Sequence, residues 1–228
     1  GGAPAEAAGP FLEPDVEVIY SFSGDQVGDG FGWVAANLED ITGDGVNDFA
    51  IPAPFYQVGG IVHGKVNLYS GADGSLIRTI LGRPYDQFGY SVRTAGDVNA
   101  DGVPDYVIGG IGAPDAPEPF LGRAAVFSGA DHSLLHEFSG TPGARFGYGV
   151  SAAGDANGDG YGDILVGAPT ASFSAPLAGR IYLYSGHDGE ELWHMDGDAD
   201  QDFLGGGVGL VGLVNEDQVP DVVASGWG

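Results

Sequence analysis

Apolar residues in this chain come in short runs, and clusters of Asp, Asn, Gly and Pro cut the runs apart. The runs are rich in Val, Ile, Leu, Tyr and Phe and are bounded by turn formers, which is the pattern of β-strands. No stretch sustains a 3.6-residue period with helix caps, so no helix is predicted. Four kinds of strand recur in order. A first, with small residues and Gly, spans 90–95 and 148–153. A second follows an acidic loop at 49–51, 106–108, 164–166 and 222–223. A third runs through 64–71, 122–129 and 179–186, each copy opening on Gly plus Lys or Arg and closing on Ser-Gly. After a turn, a fourth spans 76–80, 134–138 and 191–195.

An aromatic-Gly pair precedes each first strand: Phe31-Gly32, Phe88-Gly89, Phe146-Gly147 and a variant, Phe203-Leu204-Gly205. The Phe residues stand 57, 58 and 57 positions apart. A fixed period with internal turns is the mark of a propeller or solenoid. Four strands per unit, with a hairpin between the third and fourth, predict the blade of a β-propeller. The expected units lie near 31–80, 88–138 and 146–195, with a partial one at 203–228, inside a repeat region of 16–228 preceded by a flexible lead at 1–15. Buried aromatics usually serve packing, so the Phe of each pair is expected between blades.

The loops joining first to second strands share a nine-residue grammar. They are Asp40-Ile-Thr42-Gly-Asp44-Gly-Val46-Asn-Asp48, Asp97-Val-Asn99-Ala-Asp101-Gly-Val103-Pro-Asp105 and Asp155-Ala-Asn157-Gly-Asp159-Gly-Tyr161-Gly-Asp163. Positions 1, 3, 5 and 9 carry side-chain oxygen. Gly at position 6 permits a sharp turn at φ > 0, and position 7 (Val46, Val103, Tyr161) offers a backbone carbonyl. This is an oxygen cage for a hard cation. Ca²⁺, with six to eight oxygen ligands and tolerant geometry, fits it better than Mg²⁺. About three ions are expected. The chain has no Cys and its five His lie outside the loops, which disfavours Zn²⁺ and Cu²⁺. The opening resembles an EF-hand, but position 12 is Ile51, Ile108 or Val166 instead of a bidentate Glu, and strands replace the flanking helices. A fourth copy at 213–221 keeps Asn215, Asp217 and Asp221. It has Leu213 at position 1 and Gln218 for the Gly, and is expected to bind weakly or not at all.

Taken together, the Phe-Gly pair, the acidic nonapeptide and a following Ala-Pro resemble the FG-GAP repeat of integrin α-subunit propellers and their bacterial relatives. The Ala-Pro copies are Ala53-Pro54, Ala113-Pro114 and Ala168-Pro169, and Gly167-Ala168-Pro169 is the clean Gly-Ala-Pro. Pro52, Gly110-Ile111 and Ser225-Gly226 depart from that pattern. The resemblance covers about residues 16–228. It implies calcium in the nonapeptide loops and partner recognition by loops on the opposite face. Such propellers have seven blades, whereas this chain holds about four repeats. Residues 16–22 read as the outer strand of a blade that begins elsewhere. The sequence is therefore read as part of a larger ring or as a piece of an assembly. The alternative is a four-bladed ring in which 16–22 closes the last blade.

Charge narrows the partners. Lys and Arg total 7 against 32 Asp plus Glu, a formal charge of −25. Such a chain repels nucleic acid and anionic membranes. Its longest apolar stretch, 204–214, falls short of the roughly 20 residues a membrane helix needs. Without Cys the chain is no disulfide scaffold. Calcium cages of modest charge suit millimolar calcium, hence an extracellular, cell-surface or periplasmic setting. No nucleophile elbow is present, and no residue reads as a catalytic group breaking the repeat, so no enzyme is expected. Two functions stay open: a calcium-binding adhesion or structural module for a protein partner or copies of itself, and a carbohydrate-binding propeller, free-standing or part of a glycan-active enzyme. Trp33, Trp193, Trp227, Tyr56 and Tyr85 are the aromatics that could stack on sugars.

Overall fold

In a computed structural model the protein is described over residues 17–117, 120–215 and 217–228. The lead read at 1–15 lies outside the described residues. The all-β expectation holds: sixteen strands and no helix are present among the described residues.

The first sheet orders β1 (Ala36–Glu39), β2 (Asp48–Ala53), β5 (Lys65–Tyr69) and β6 (Leu76–Leu81) as an antiparallel meander. Between β2 and β5 a small hairpin, β3 (Gln57–Val58) and β4 (Ile61–Val62), turns at Gly59-Gly60. The second sheet holds β7 (Phe88–Gly96), β8 (Asp105–Gly110), β9 (Arg123–Phe127) and β10 (Leu134–Ser139). The third holds β11 (Val150–Gly154), β12 (Asp163–Ala168), β13 (Arg180–Tyr184) and β14 (Glu191–Asp196). A fourth has two strands, β15 (Gly207–Gly212) and β16 (Asp221–Ser225). The first strands, β1, β7, β11 and β15, pack against one another in that order. These are successive blades of a β-propeller.

The core lies between blades. One buried cluster joins Leu38, Ala50, Val66 and Leu68 of the first sheet to Phe88, Val92 and Ile108 of the second. Another joins Val107, Val126 and Phe138 of the second to Phe146, Val166 and Tyr184 of the third. Phe88 and Phe146 are fully buried in these seams. Each also forms an isolated parallel bridge to the Gly that opens the preceding blade's third strand, Gly64↔Phe88 and Gly122↔Phe146. The corresponding bridge in the fourth blade is Gly179↔Leu204. The sequence reading had Phe203 in this role. Leu204 fills it, and Phe203 takes the preceding position in left-handed backbone (φ 52°), like Gln87 and Arg145, both also at 52°.

The co-occurrence of Phe-Gly and Gly-Ala-Pro has a packing cause. A Cβ on Gly109 would lie 2.0 Å from the carbonyl oxygen of Gly147, and one on Gly167 would lie 2.1 Å from that of Gly205. The Gly of one blade's second strand thus touches the Gly of the next blade's aromatic-Gly pair. Pro52 holds the equivalent place in the first blade, where it faces Gly89.

Residues 17–22 form no strand, contrary to the sequence reading; Val16 lies outside the described residues. Among the described residues β16 pairs only with β15, and 17–22 join no sheet. Their side chains nevertheless mimic an outer strand packed on the first blade. The Tyr20 hydroxyl donates to the Gly71 carbonyl at 3.3 Å, and Phe22 lies 4.4 Å from Tyr69. On the third blade His136 Nε2 meets the Gly186 carbonyl at 2.6 Å, and Phe138 stacks on Tyr184 at 4.1 Å.

Candidate metal centre

Each acidic loop begins from a bulge. Strand pairing slips just before it, between Asn37 and Glu39, Thr94 and Gly96, Ala152 and Gly154, and Leu210 and Gly212. The residue preceding position 1 is left-handed in all four: Glu39 at 62°, Gly96 at 75°, Gly154 at 69° and Gly212 at 77°. The bulge bends the strand and turns position 1 back over the loop. Position 6 is left-handed too, with Gly45 at 88°, Gly102 at 84° and Gly160 at 90°, as its lack of Cβ predicted.

The carboxylate of position 1 sits over a nest of backbone N–H groups. Asp40 accepts from Gly43, Asp44 and Gly45 at 2.7, 3.1 and 2.8 Å. Asp97 accepts from Asp101 and Gly102 at 3.0 and 2.9 Å. Asp155 accepts from Gly158, Asp159 and Gly160 at 2.7, 2.9 and 2.9 Å. The Gly45 N–H, with those of Gly43 and Asp44, holds the Asp40 carboxyl below the usual carboxylate range, so this group stays an anion. At position 5, Asp44, Asp101 and Asp159 each accept the N–H two residues on, at 2.8, 2.8 and 2.9 Å. The position-3 amides of Asn99 and Asn157 donate to the position-5 carboxylates at 2.8 Å. Thr42 bonds instead to Asp40, at 3.4 Å.

Position 9 has a second task the sequence reading missed. Asp48, Asp105 and Asp163 are buried. One oxygen of each accepts loop N–H groups: Ile41 and Thr42 for Asp48, Val98 for Asp105, and Ala156 and Asn157 for Asp163. The other accepts the N–H of Gly71, Gly129 or Gly186 at 3.0, 2.9 and 3.1 Å. Those glycines end the recurring Ser-Gly, and a Cβ there would lie 1.9 Å from the carbonyl of loop position 8. Position 9 thus pins the loop to the outer hairpin of its blade. Burial pushes the Asp105 carboxyl up to about 6, against its bonds from Gly129 and Val98, and burial likewise raises Asp163. A cation beside either group would favour its charged form.

Among the described residues, no group of three or more His, Cys, Asp or Glu side chains is gathered as metal ligands. The predicted residues of each loop are neighbours, with carboxylates engaged by backbone N–H groups and, in the second and third loops, with the position-3 amide donating to the position-5 carboxylate. The donor set is all-oxygen and anionic, each carboxylate oxygen has two lone pairs, and this fits a hard cation. Asn215, Asp217 and Asp221 keep part of this wiring without a position-1 anchor: Asp217 N–H donates to Asn215 at 2.8 Å, Val219 N–H to Asp217 at 2.9 Å and Val214 N–H to Asp221 at 2.8 Å, but the Asn215 amide donates to Asp221 at 3.1 Å instead of to position 5. Position 4 is Gly43 or Gly158 in two loops and Ala100 in the other, at φ 58°. A left-handed residue with a Cβ costs about 1–2 kcal/mol. Ala100→Gly should therefore raise stability by roughly 1 kcal/mol, read as a higher urea midpoint at an unchanged slope.

Residues 146–184 match the FG-GAP repeat. The chain is 33% identical over 189 residues to integrin alpha-PS5 of Drosophila melanogaster, covering 74% of this chain and 17% of that protein. It is 29% identical over 177 residues to human integrin alpha-7, covering 73% and 14%. The chain thus spans less than a fifth of these relatives. In fold it is similar to the solved rhamnogalacturonan lyase YesW (TM-score 0.53, 14% identity, 83% of this chain and 39% of that one). A Bacillus licheniformis rhamnogalacturonan lyase gives 0.51 at 14% identity, covering 83% and 40%. At that identity the likeness speaks for the β-architecture alone.

Proposed function

Given that the chain belongs to the FG-GAP repeat family, we propose that it is a calcium-stabilised, non-catalytic module for adhesion or protein–protein interaction, working outside the cell, at its surface or in the periplasm. The observation that carries this reading is the common wiring of three loops. Each pairs a half-buried position-1 aspartate, its carboxylate over loop N–H groups, with a position-5 carboxylate and a left-handed Gly. Asp40, Thr42, Asp44 and Asp48 would hold one ion with the Val46 carbonyl. Asp97, Asn99, Asp101 and Asp105 would hold a second with that of Val103, and Asp155, Asn157, Asp159 and Asp163 a third with that of Tyr161. Bound calcium would compete with the Asn side chains for the position-5 oxygens and would neutralise carboxylates crowded at one end of each blade. The relatives named integrins support the interaction half of the reading; the partner is a protein or another copy of this chain. No helix is long and apolar enough to cross a membrane among the described residues.

Titration calorimetry tests the metal half. Wild type should take up three calcium ions, and Asp97→Asn and Asp155→Asn should each remove one. Equal uptake by all three proteins would rule the loops out as the sites.

A further inference from the structure

Among the cations with no counterpart at the same position of the other repeats are Arg93 and Arg145. Arg93 of β7 pairs with Val107, and the same register position in the other blades is Ala36, Ser151 and Gly209. Arg145 precedes the aromatic-Gly pair, where the other blades have Gly30, Gln87 and Phe203. The ion pairs among the described residues use Lys65 with Asp25, Arg83 with Glu137, Arg123 with Asp86 and Glu137, and Arg180 with Asp196. No carboxylate of the described residues lies within 4.0 Å of Arg93 or Arg145. In a chain of formal charge −25, three arginines have no such partner, Arg78, Arg93 and Arg145, and of these Arg93 and Arg145 line neighbouring cavities.

Both meet at Tyr90. A cavity of about 250 Å³ among the first strands is lined by Arg93 with Trp33, Tyr90 and Tyr148. A second, of about 620 Å³, is lined by Arg145 with Tyr90, Gln87, Ile111 and Phe120. Tyr90 is a wall of each. The rings form a row, with Trp33 to Tyr90 at 5.3 Å and Tyr90 to Tyr148 at 4.9 Å between centroids. Guanidinium groups take carboxylates bidentately, and Tyr and Trp combine an apolar face with a polar tip. The site is recessed, as small-ligand sites are, whereas protein partners more often meet broad surfaces of about 800 Å² per side.

We propose that the two cavities form one binding site for an acidic oligosaccharide, in which Arg93 and Arg145 each take the carboxylate of a uronic acid residue and Trp33, Tyr90 and Tyr148 offer ring faces to the sugars. The site lies toward the end of the first strands away from the acidic loops, since Tyr90 is the third residue of β7 (Phe88–Gly96) and Asp97 follows its end. It is therefore independent of the metal reading.

Calorimetry in calcium buffer with trisaccharides of galacturonate, mannuronate and guluronate tests it, with their neutral methyl esters and hexaglutamate alongside. At least one acidic trisaccharide should bind, and its ester and hexaglutamate should not. Arg93→Gln and Arg145→Gln should each weaken binding about tenfold or more while keeping the wild-type calcium-dependent melting. That melting reports on the loops separately. Arg145 is exposed, so its variant tests the site even where Arg93→Gln disturbs the strand. The proposal is overturned when no acidic trisaccharide binds, when esters bind equally well, or when both variants bind like wild type. Binding of hexaglutamate in place of the sugars would overturn it in favour of an acidic protein partner.

Discussion

Gly109→Ala is expected to destabilise the protein by about 3 kcal/mol or more, the upper range for forcing an atom into a packed interior. Gly109 lies in β8, whose residues are all buried. Its new Cβ would stand 2.0 Å from the Gly147 carbonyl oxygen and 2.4 Å from Ser91 Oγ. Both are fixed: Ser91 Oγ donates to that same carbonyl at 2.8 Å. Backbone cannot swing aside as a flexible side chain can, so the second and third blades would have to part along the seam that buries Phe146. For a chain of this size the melting temperature should fall by roughly 6–12 °C. Gly102→Ala is the control. It adds a Cβ with nothing within 4 Å but at φ +84°, so it should cost only the left-handed penalty of about 1–2 kcal/mol. Differential scanning calorimetry on the two variants separates crowding from backbone strain. Equal losses would show that the blades do not approach at Gly109 as described.

Calcium removal should have the larger effect. A ligand held only by the folded state stabilises it by about 2.7 kcal/mol at a hundredfold excess over Kd. Three independent loops would then contribute on the order of 8 kcal/mol, or roughly 15–30 °C in melting temperature for a chain of this size. Chelation withdraws that and leaves the loop carboxylates crowded without a counter-ion. Asp101→Ala or Asp159→Ala should remove about a third of the effect. Each deletes a position-5 carboxylate that also accepts a loop N–H. A melting curve indifferent to chelator would mean that the loops are turns held by their own hydrogen bonds.

The repeat itself was plain in the chain because every copy repeats the same physical demands. Strand-forming residues alternate with turn formers, and position 6 is Gly wherever the backbone turns left-handed. Features with a single copy, or a double duty, were harder to see. Phe203 drew the eye because it is aromatic, but the bridge from Gly179 selects Leu204, and only spatial pairing fixes that one-residue phase. The β3–β4 hairpin carried a Gly59-Gly60 signal yet lies between the recurring strands. The bulge before each loop was written as Gly96, Gly154 and Gly212, but Glu39 broke the pattern. Arg93 and Arg145 were hidden by reading what the repeats share instead of where they differ. The buried pinning role of Asp48, Asp105 and Asp163 needed the fold, because Gly71, Gly129 and Gly186 lie 23 or 24 residues further along the chain.

The most direct measurement is the metal content of the intact protein, purified in calcium and freed of loose ions by gel filtration, read by elemental analysis. Three calcium ions per chain are predicted, with none attributable to residues 213–221. A calcium-free protein that keeps its full melting temperature would contradict the account.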